Sequence, residues 1–179
     1  MSESENVGAQ FIAPSSSQEN VGAQFIAPVS SQESPDVGVR VVRPHQFDAN
    51  TPQTPGMQRV TAISRELAGS MGIWAGVTVV APATASGVHH HGTIETVIYV
   101  VSGHGKIRWG NHMQFEEDVE PGDFIYVPPF VPHQEINASP DTPSQWVIVR
   151  NSQEPVVVNL EPGEWDAAQK AANAVMHGL

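Results

Sequence analysis

The chain has 179 residues, room for one domain of ordinary size plus extensions. A formal net charge of −11, with 8 scattered Lys and Arg against 19 Asp and Glu, excludes a basic stripe for nucleic acid. No apolar run reaches bilayer-spanning length and the N-terminus carries no basic signal-peptide region, so the protein is expected to be cytoplasmic, without a membrane partner. Cysteine is absent, so any metal must be held by nitrogen and oxygen.

Residues 5–14 read Glu-Asn-Val-Gly-Ala-Gln-Phe-Ile-Ala-Pro, and residues 19–28 repeat that decapeptide without a change. A decayed third copy runs from Asp36 to Pro44. Residues 1–35 are rich in Ser, Glu, Gln and Pro, with too little apolar surface to offset ordering entropy, and read as a disordered tail. The sharper reading makes each decapeptide a short docking element anchored by Phe11-Ile12 or Phe25-Ile26.

Frequent Val, with 15 Gly and 15 Pro between short apolar runs, points to an all-β domain over residues 36–160. Val37 to Val42 reads as a first strand ended by Pro44, and residues 50–56 as a turn. Strands are expected over Arg59 to Ser64, Ile73 to Ala81, Lys106 to Trp109, Met113 to Val119, Asp123 to Val127, Gln134 to Asn137, Trp146 to Arg150 and Val156 to Leu160. Such regular spacing suggests a sandwich or barrel. Within residues 161–179, Trp165, Ala168, Ala172, Val175 and Met176 recur at helical spacing, and Gly178 is placed to stop a C-terminal helix.

The chemistry concentrates in Gly87-Val88-His89-His90-His91-Gly92-Thr93-Ile94-Glu95. His89 and His91 are two apart and share one face of a strand, and Glu95 can return toward them after the Gly92 turn. His133 follows the strand bracketed by Gly122 and Pro128, delivered by a proline-stiffened turn. Imidazole with carboxylate suits divalent transition metals. By the same alternation His90 points away from the site.

These two stretches resemble the cupin superfamily. Its first motif is Gly, five residues, His-x-His, three or four residues, Glu, six residues, Gly; its second is Gly, five residues, Pro-x-Gly, two residues, His, three residues, Asn. His89, His91 and Glu95 match the first, and Gly122, Pro128, His133 and Asn137 the second. Ala83 stands in place of the leading Gly, the closing Gly is displaced by one to Gly103, and Phe130 replaces the second-motif Gly, where it could narrow the pocket mouth. The resemblance implies a double-stranded β-helix, or jelly-roll, with a short C-terminal α-helix. It also implies one divalent ion (Fe, Mn, Ni or Zn) on His89, His91, Glu95 and His133, with about two coordination positions open.

Two residues are candidates for proton transfer. Tyr99 lies two strand steps beyond Glu95 and shares its face, as a pocket residue or a core aromatic. Glu135 alternates with His133 and Asn137; exposed, the preferred reading, it is a solvated barrel glutamate, and facing inward it would be a partner of the metal ligands or a proton acceptor. His104 and His112 read as surface residues.

The resemblance implies an enzyme acting on a small oxygenated substrate (enol, diketone or carboxylate) by dioxygenation or decarboxylation. The alternative is a non-catalytic metallated binding or sensing module with recruiting repeats. Metal-free sugar epimerisation fits less well, because it would not require the full ligand set. Relatives commonly pair as homodimers and exchange N-terminal strands, a role assigned here to Val37 to Val42.

Overall fold

Apolar side chains at every second position build the strands. In Trp74–Val80 the buried residues are Trp74, Gly76, Thr78 and Val80, and in Ser144–Arg150 they are Ser144, Trp146, Ile148 and Arg150. The computed structural model describes residues 38–53, 56–154 and 156–178; both decapeptides and Val37 lie outside them.

In chain order the strands are β1 Met57–Ile63, β2 Trp74–Val80, β3 Thr84–Ala85, β4 His89–His90, β5 Thr96–Ser102, β6 Gly105–Trp109, β7 Phe115–Val119, β8 Phe124–Val127, β9 His133–Asn137, β10 Ser144–Arg150 and β11 Val158–Asn159. One antiparallel sheet runs β1-β2-β10-β5-β8 and the other β11-β4-β9-β6-β7, with β3 pairing β9. This is the jelly roll expected from the motif pair. Helix α1, Arg65–Ala68, was not foreseen; Ser64 caps it by accepting from the Leu67 N–H, and Gly69 ends it in the left-handed region at φ 71°. The C-terminal helix α2 spans Trp165–His177 and buries Ala168 and Ala172. Among the described residues no helix is long and apolar enough to cross a membrane.

Between the sheets pack Trp74, Ile98, Val100, Ile107, Val119, Val127, Trp146 and Ile148, with Trp109 and Ile125 against them. Each large apolar side chain buried here stabilises the fold by roughly 1.5–3 kcal/mol. Gly76 makes room for Trp74, because a Cβ there would lie 2.5 Å from the indole.

The expected first strand is corrected. Residues 38–42 form no strand, and Val39 and Val41 are 95% and 63% exposed. Alternation alone does not make a strand when no neighbour supplies the ladder; the first pairing of the described chain is an isolated bridge between Asp48 and Thr61.

Candidate metal centre

β4 and β9 meet at one register pair, His89 with His133, and this contact assembles the site. His91 follows β4 just before Gly92, whose φ of 61° turns the chain toward β5. The ring centroids of His89 and His133 are 4.4 Å apart, and each is 5.0 Å from that of His91. His90 points away as expected: its ring packs on Phe130 at 5.6 Å and its Nδ1 accepts from the Gly92 N–H at 2.9 Å.

Each of the three converging histidines has its Nδ1 2.9 Å from a backbone carbonyl, of Gly87 for His89, Val156 for His91 and Val131 for His133. A carbonyl only accepts, so Nδ1 carries the proton and Nε2 presents a bare lone pair. The His133 Nε2 is buried without a hydrogen-bond partner.

The carboxylate beside them belongs to Glu135. It is 6% exposed, with its oxygens 3.7 Å from His89 Nε2 and 3.8 Å from His133 Nε2. These gaps exceed a hydrogen bond and approach the ~3–3.5 Å separation of neighbouring donors on one ion at bond lengths of about 2.0–2.2 Å. Ser86 fixes the carboxylate from outside: its hydroxyl donates to Glu135 Oε2 at 2.8 Å and accepts from the Glu135 N–H at 3.0 Å. Thus Glu135, preferred above as an exposed barrel residue, is buried; one strand step sets its face, and that face is the one His133 occupies.

Glu95 is not brought to the histidines. It is exposed, accepting from the Tyr126 hydroxyl at 2.6 Å and from Asn151 Nδ2 at 3.1 Å. Tyr99 does share its face, but that face is the outer one, where the Tyr99 ring packs on Phe124 at 4.8 Å. The inward residues of β5 are Thr96, Ile98 and Val100. With the motif's six intervening residues placed before Gly103, its Glu position falls on Thr96, so the one-residue displacement of Gly103 is the signal that Glu95 faces out.

Burial pushes His91 down to about 2, with Arg150, His133 and His89 adding to the shift, and pushes His133 down to about 4. Burial alone would raise the Glu135 carboxyl, but His89, His133, His91 and the Ser86 hydroxyl hold it well below the usual range. Neutral imidazoles beside an ionised carboxylate are the protonation states a cation requires. Among the described residues, His89, His91, His133 and Glu135 offer donor atoms within 4.8 Å of one another and could hold a metal ion.

A cavity of about 570 Å³ reaches His133 from the edge between β7 and β8. Ile107, Trp109, Ile125 and Val127 line its depth, Glu117 and Asp123 carry charge at its mouth, and Gln169 of α2 borders it. Phe130 does not line it, because its ring is engaged by His90. The two residues that replace motif glycines keep the glycine-like backbone, Ala83 at φ 51° and Phe130 at φ 60°. Asn137, fully buried, donates to the carbonyls of Val80 and Thr142 and accepts from the Ser139 N–H, a structural clamp. The buried Arg59 and Arg150 were not singled out from the sequence, although Arg150 continues the inward alternation of Trp146 and Ile148.

A family model described as Cupin domain matches residues 76–150. No curated protein matches the sequence. Among solved structures, the chain is similar to the polyketide cyclase RemF from Streptomyces resistomycificus, at 21% identity and TM-score 0.56, over 74% of this chain and 94% of that one. It is similar to KdgF from Halomonas sp. at 18% identity and TM-score 0.52, covering 66% and 97%. It is also similar to the Bacillus subtilis oxalate decarboxylase, whose Mn(II) centers are described, at 20% identity and TM-score 0.54, covering 63% of this chain and 30% of that one.

Proposed function

We propose that the chain, whose residues 76–150 match the Cupin domain model, binds one divalent metal through His89, His91, His133 and Glu135 and acts on a small oxygenated substrate. The carrying observation is the unpartnered, buried His133 Nε2 facing the Glu135 carboxylate, beside two further histidines whose Nδ1–H groups are tied to carbonyls. The bound ion would supply Lewis acidity toward a substrate oxygen and, for a redox-active metal, electron exchange with dioxygen. The chain's own residues orient and exclude water. Backbone carbonyls fix the imidazole tautomers, Ser86 fixes Glu135, and the walls of Ile107, Trp109, Ile125 and Val127 keep the approach to His133 apolar.

The reactions this arrangement supports best are dioxygenation or decarboxylation of an enol, diketone or carboxylate. The test is reconstitution with Fe(II), Mn(II), Ni(II) or Zn(II), followed by oxygen uptake and carbon dioxide release over those three classes. Turnover with one metal that is lost in His133→Ala supports the reading, and metal-loaded protein that binds such compounds without turnover overturns its catalytic part. One observation favours that second outcome, a binding or sensing module. With Glu95 and Tyr99 outside and Glu135 among the ligands, none of the candidate proton-transfer groups is left uncommitted inside the barrel.

We further propose a homodimer in which the segment around Val39 and Val41 pairs with a second copy, since both side chains are exposed in a single chain. Sedimentation of the full chain beside a Val39→Asp, Val41→Asp variant tests it: a dimer that the variant splits is the expected result.

A further inference from the structure

We propose that the cavity leading to His133 selects ligands that carry an ammonium group, held at the cavity's outer end by the Glu117 carboxylate and the Gln169 side-chain carbonyl, with the ligand's oxygen toward the histidines. This deepens the proposed function by naming its substrate class, a small oxygenated amine, and it rests on that reading of the cavity as the substrate site.

Strand β7 departs from the pattern of its neighbours. Phe115, Glu117 and Val119 share one face; Val119 is buried in the core, and Glu117 stands opposite the core residue Ile107. Parity therefore calls for an apolar side chain at 117, and a carboxylate occupies the position. Its neighbours Glu116 and Asp118 lie on the other face and are paired with the cations of β6. Glu116 lies 2.8 Å from Lys106 and 3.2 Å from Arg108, and Asp118 lies 3.1 Å from Lys106. Among the described residues Glu117 has no ion-pair partner within 4.0 Å. It lines the cavity instead.

Gln169 of α2 borders the same cavity. Its Nε2 donates to Asn173 Oδ1 at 3.1 Å, whereas its Oε1 is buried without a hydrogen-bond partner. A buried carbonyl without a donor lacks a bond that a ligand can supply. Asp123 adds a second carboxylate to the lining, with its Oδ2 already accepting from the Glu120 N–H at 2.9 Å. Among the described residues no Lys or Arg lines the cavity. Acceptors and negative charge are complemented by a group that only donates and is positive, and an ammonium is such a group.

The register gives the ligand its direction. Ile107 pairs with Glu135 on one side and with Glu117 on the other, so the two carboxylates stand in one row, two strand spacings or about 10 Å apart at the backbone. The inner carboxylate belongs with the histidines, and the outer one is free. Ile107 and Trp109 line the stretch between them, where the body of the ligand lies, and about 570 Å³ is ample for it.

The test uses the full chain, metal-stripped and zinc-loaded, with three probes that share one phenol: tyramine, 4-ethylphenol and 4-hydroxyphenylacetate. By calorimetric titration tyramine is expected to bind tightest in both forms, 4-ethylphenol about tenfold more weakly, and 4-hydroxyphenylacetate more weakly still. Glu117→Gln, at an exposed position where folding is not at stake, should erase the advantage of tyramine over 4-ethylphenol. Gln169→Met, which keeps the length and loses the acceptor, should reduce that advantage about threefold. Glu116→Gln removes the same charge from the opposite face of β7 and should leave the preference intact, which separates a site from the general attraction of a chain of net charge −11 for cations. Equal binding of tyramine and 4-ethylphenol, no binding of any probe, or an equal loss in Glu116→Gln and Glu117→Gln would overturn the inference. Elemental analysis of the same samples keeps it distinct from the metal reading. Zinc uptake without a preference for tyramine overturns the ammonium site alone, whereas a preference that Glu117→Gln abolishes, without zinc uptake, supports the ammonium site and overturns the metal centre.

Discussion

Replacing Glu135 by Gln keeps the shape of the side chain and removes the one buried carboxylate. In the metal-stripped protein Arg59 and Arg150 then remain buried without a compensating charge, and the Ser86 hydroxyl keeps only a neutral acceptor. Glu135 forms no ion pair with either guanidinium within 4.0 Å, so the substitution removes a longer-range attraction and the charge on the hydrogen bond from Ser86, a loss of about 1–3 kcal/mol. For a chain of this size that corresponds to a fall in Tm of roughly 2–12 °C. Glu95→Gln is the matched control, an exposed carboxylate held by Tyr126 and Asn151, and its loss should cost no more than ~1 kcal/mol. Urea unfolding of the wild type and the two variants, in chelator-treated buffer near neutral pH, reads both quantities. A Glu135→Gln cost below ~1 kcal/mol, or one equal to that of Glu95→Gln, would refute the reasoning that Glu135 neutralises the interior.

Three further outcomes follow from the same geometry. His133 is pushed down to about 4 and His91 to about 2 from the ordinary 6.5, so the unfolded chain binds more protons than the folded one below about pH 6.5. Metal-stripped protein should therefore be most stable above that pH and lose stability as pH falls from about 6.5 to 4; urea midpoints that stay flat or rise on acidification contradict this. Ser86→Ala removes a donor to the buried carboxylate and should cost about 1–3 kcal/mol, with metal affinity falling roughly 10–100-fold by competition titration. Ala83→Gly relieves a left-handed backbone at φ 51° and should stabilise the fold by up to ~1 kcal/mol, net of the added chain entropy, whereas a destabilised variant would show that the turn carries no strain.

The motif pair made the jelly roll legible, because Gly122, Pro128, His133 and Asn137 keep their spacing while the strands alternate as the pleat requires. Three of the four expected ligands converge for the same reason. The fourth, Glu95, keeps the motif's distance from His91 but lies on the outer face, with Thr96 inside, and the carboxylate beside the histidines comes instead from Glu135 of β9. Glu135 was in view through its alternation with His133, yet sequence alone does not say which face of β9 is interior. Arg150 was harder still, since a buried arginine departs from the usual burial preference and only its place between inward strand neighbours reveals it. The strand expected from Val37 to Val42 fails in residues 38–42 because pairing partners, unlike periodicity, are not written in a local stretch.

Metal content distinguishes a site built from His89, His91, His133 and Glu135 from one that includes Glu95. Tag-free wild type, Glu95→Gln, Glu135→Gln and His133→Ala would be reconstituted in parallel, desalted and measured by elemental analysis. About one divalent ion per chain is expected in the wild type and in Glu95→Gln, with marked loss in Glu135→Gln and His133→Ala. Metal lost in Glu95→Gln but retained in Glu135→Gln, or absent from all four proteins, would contradict it.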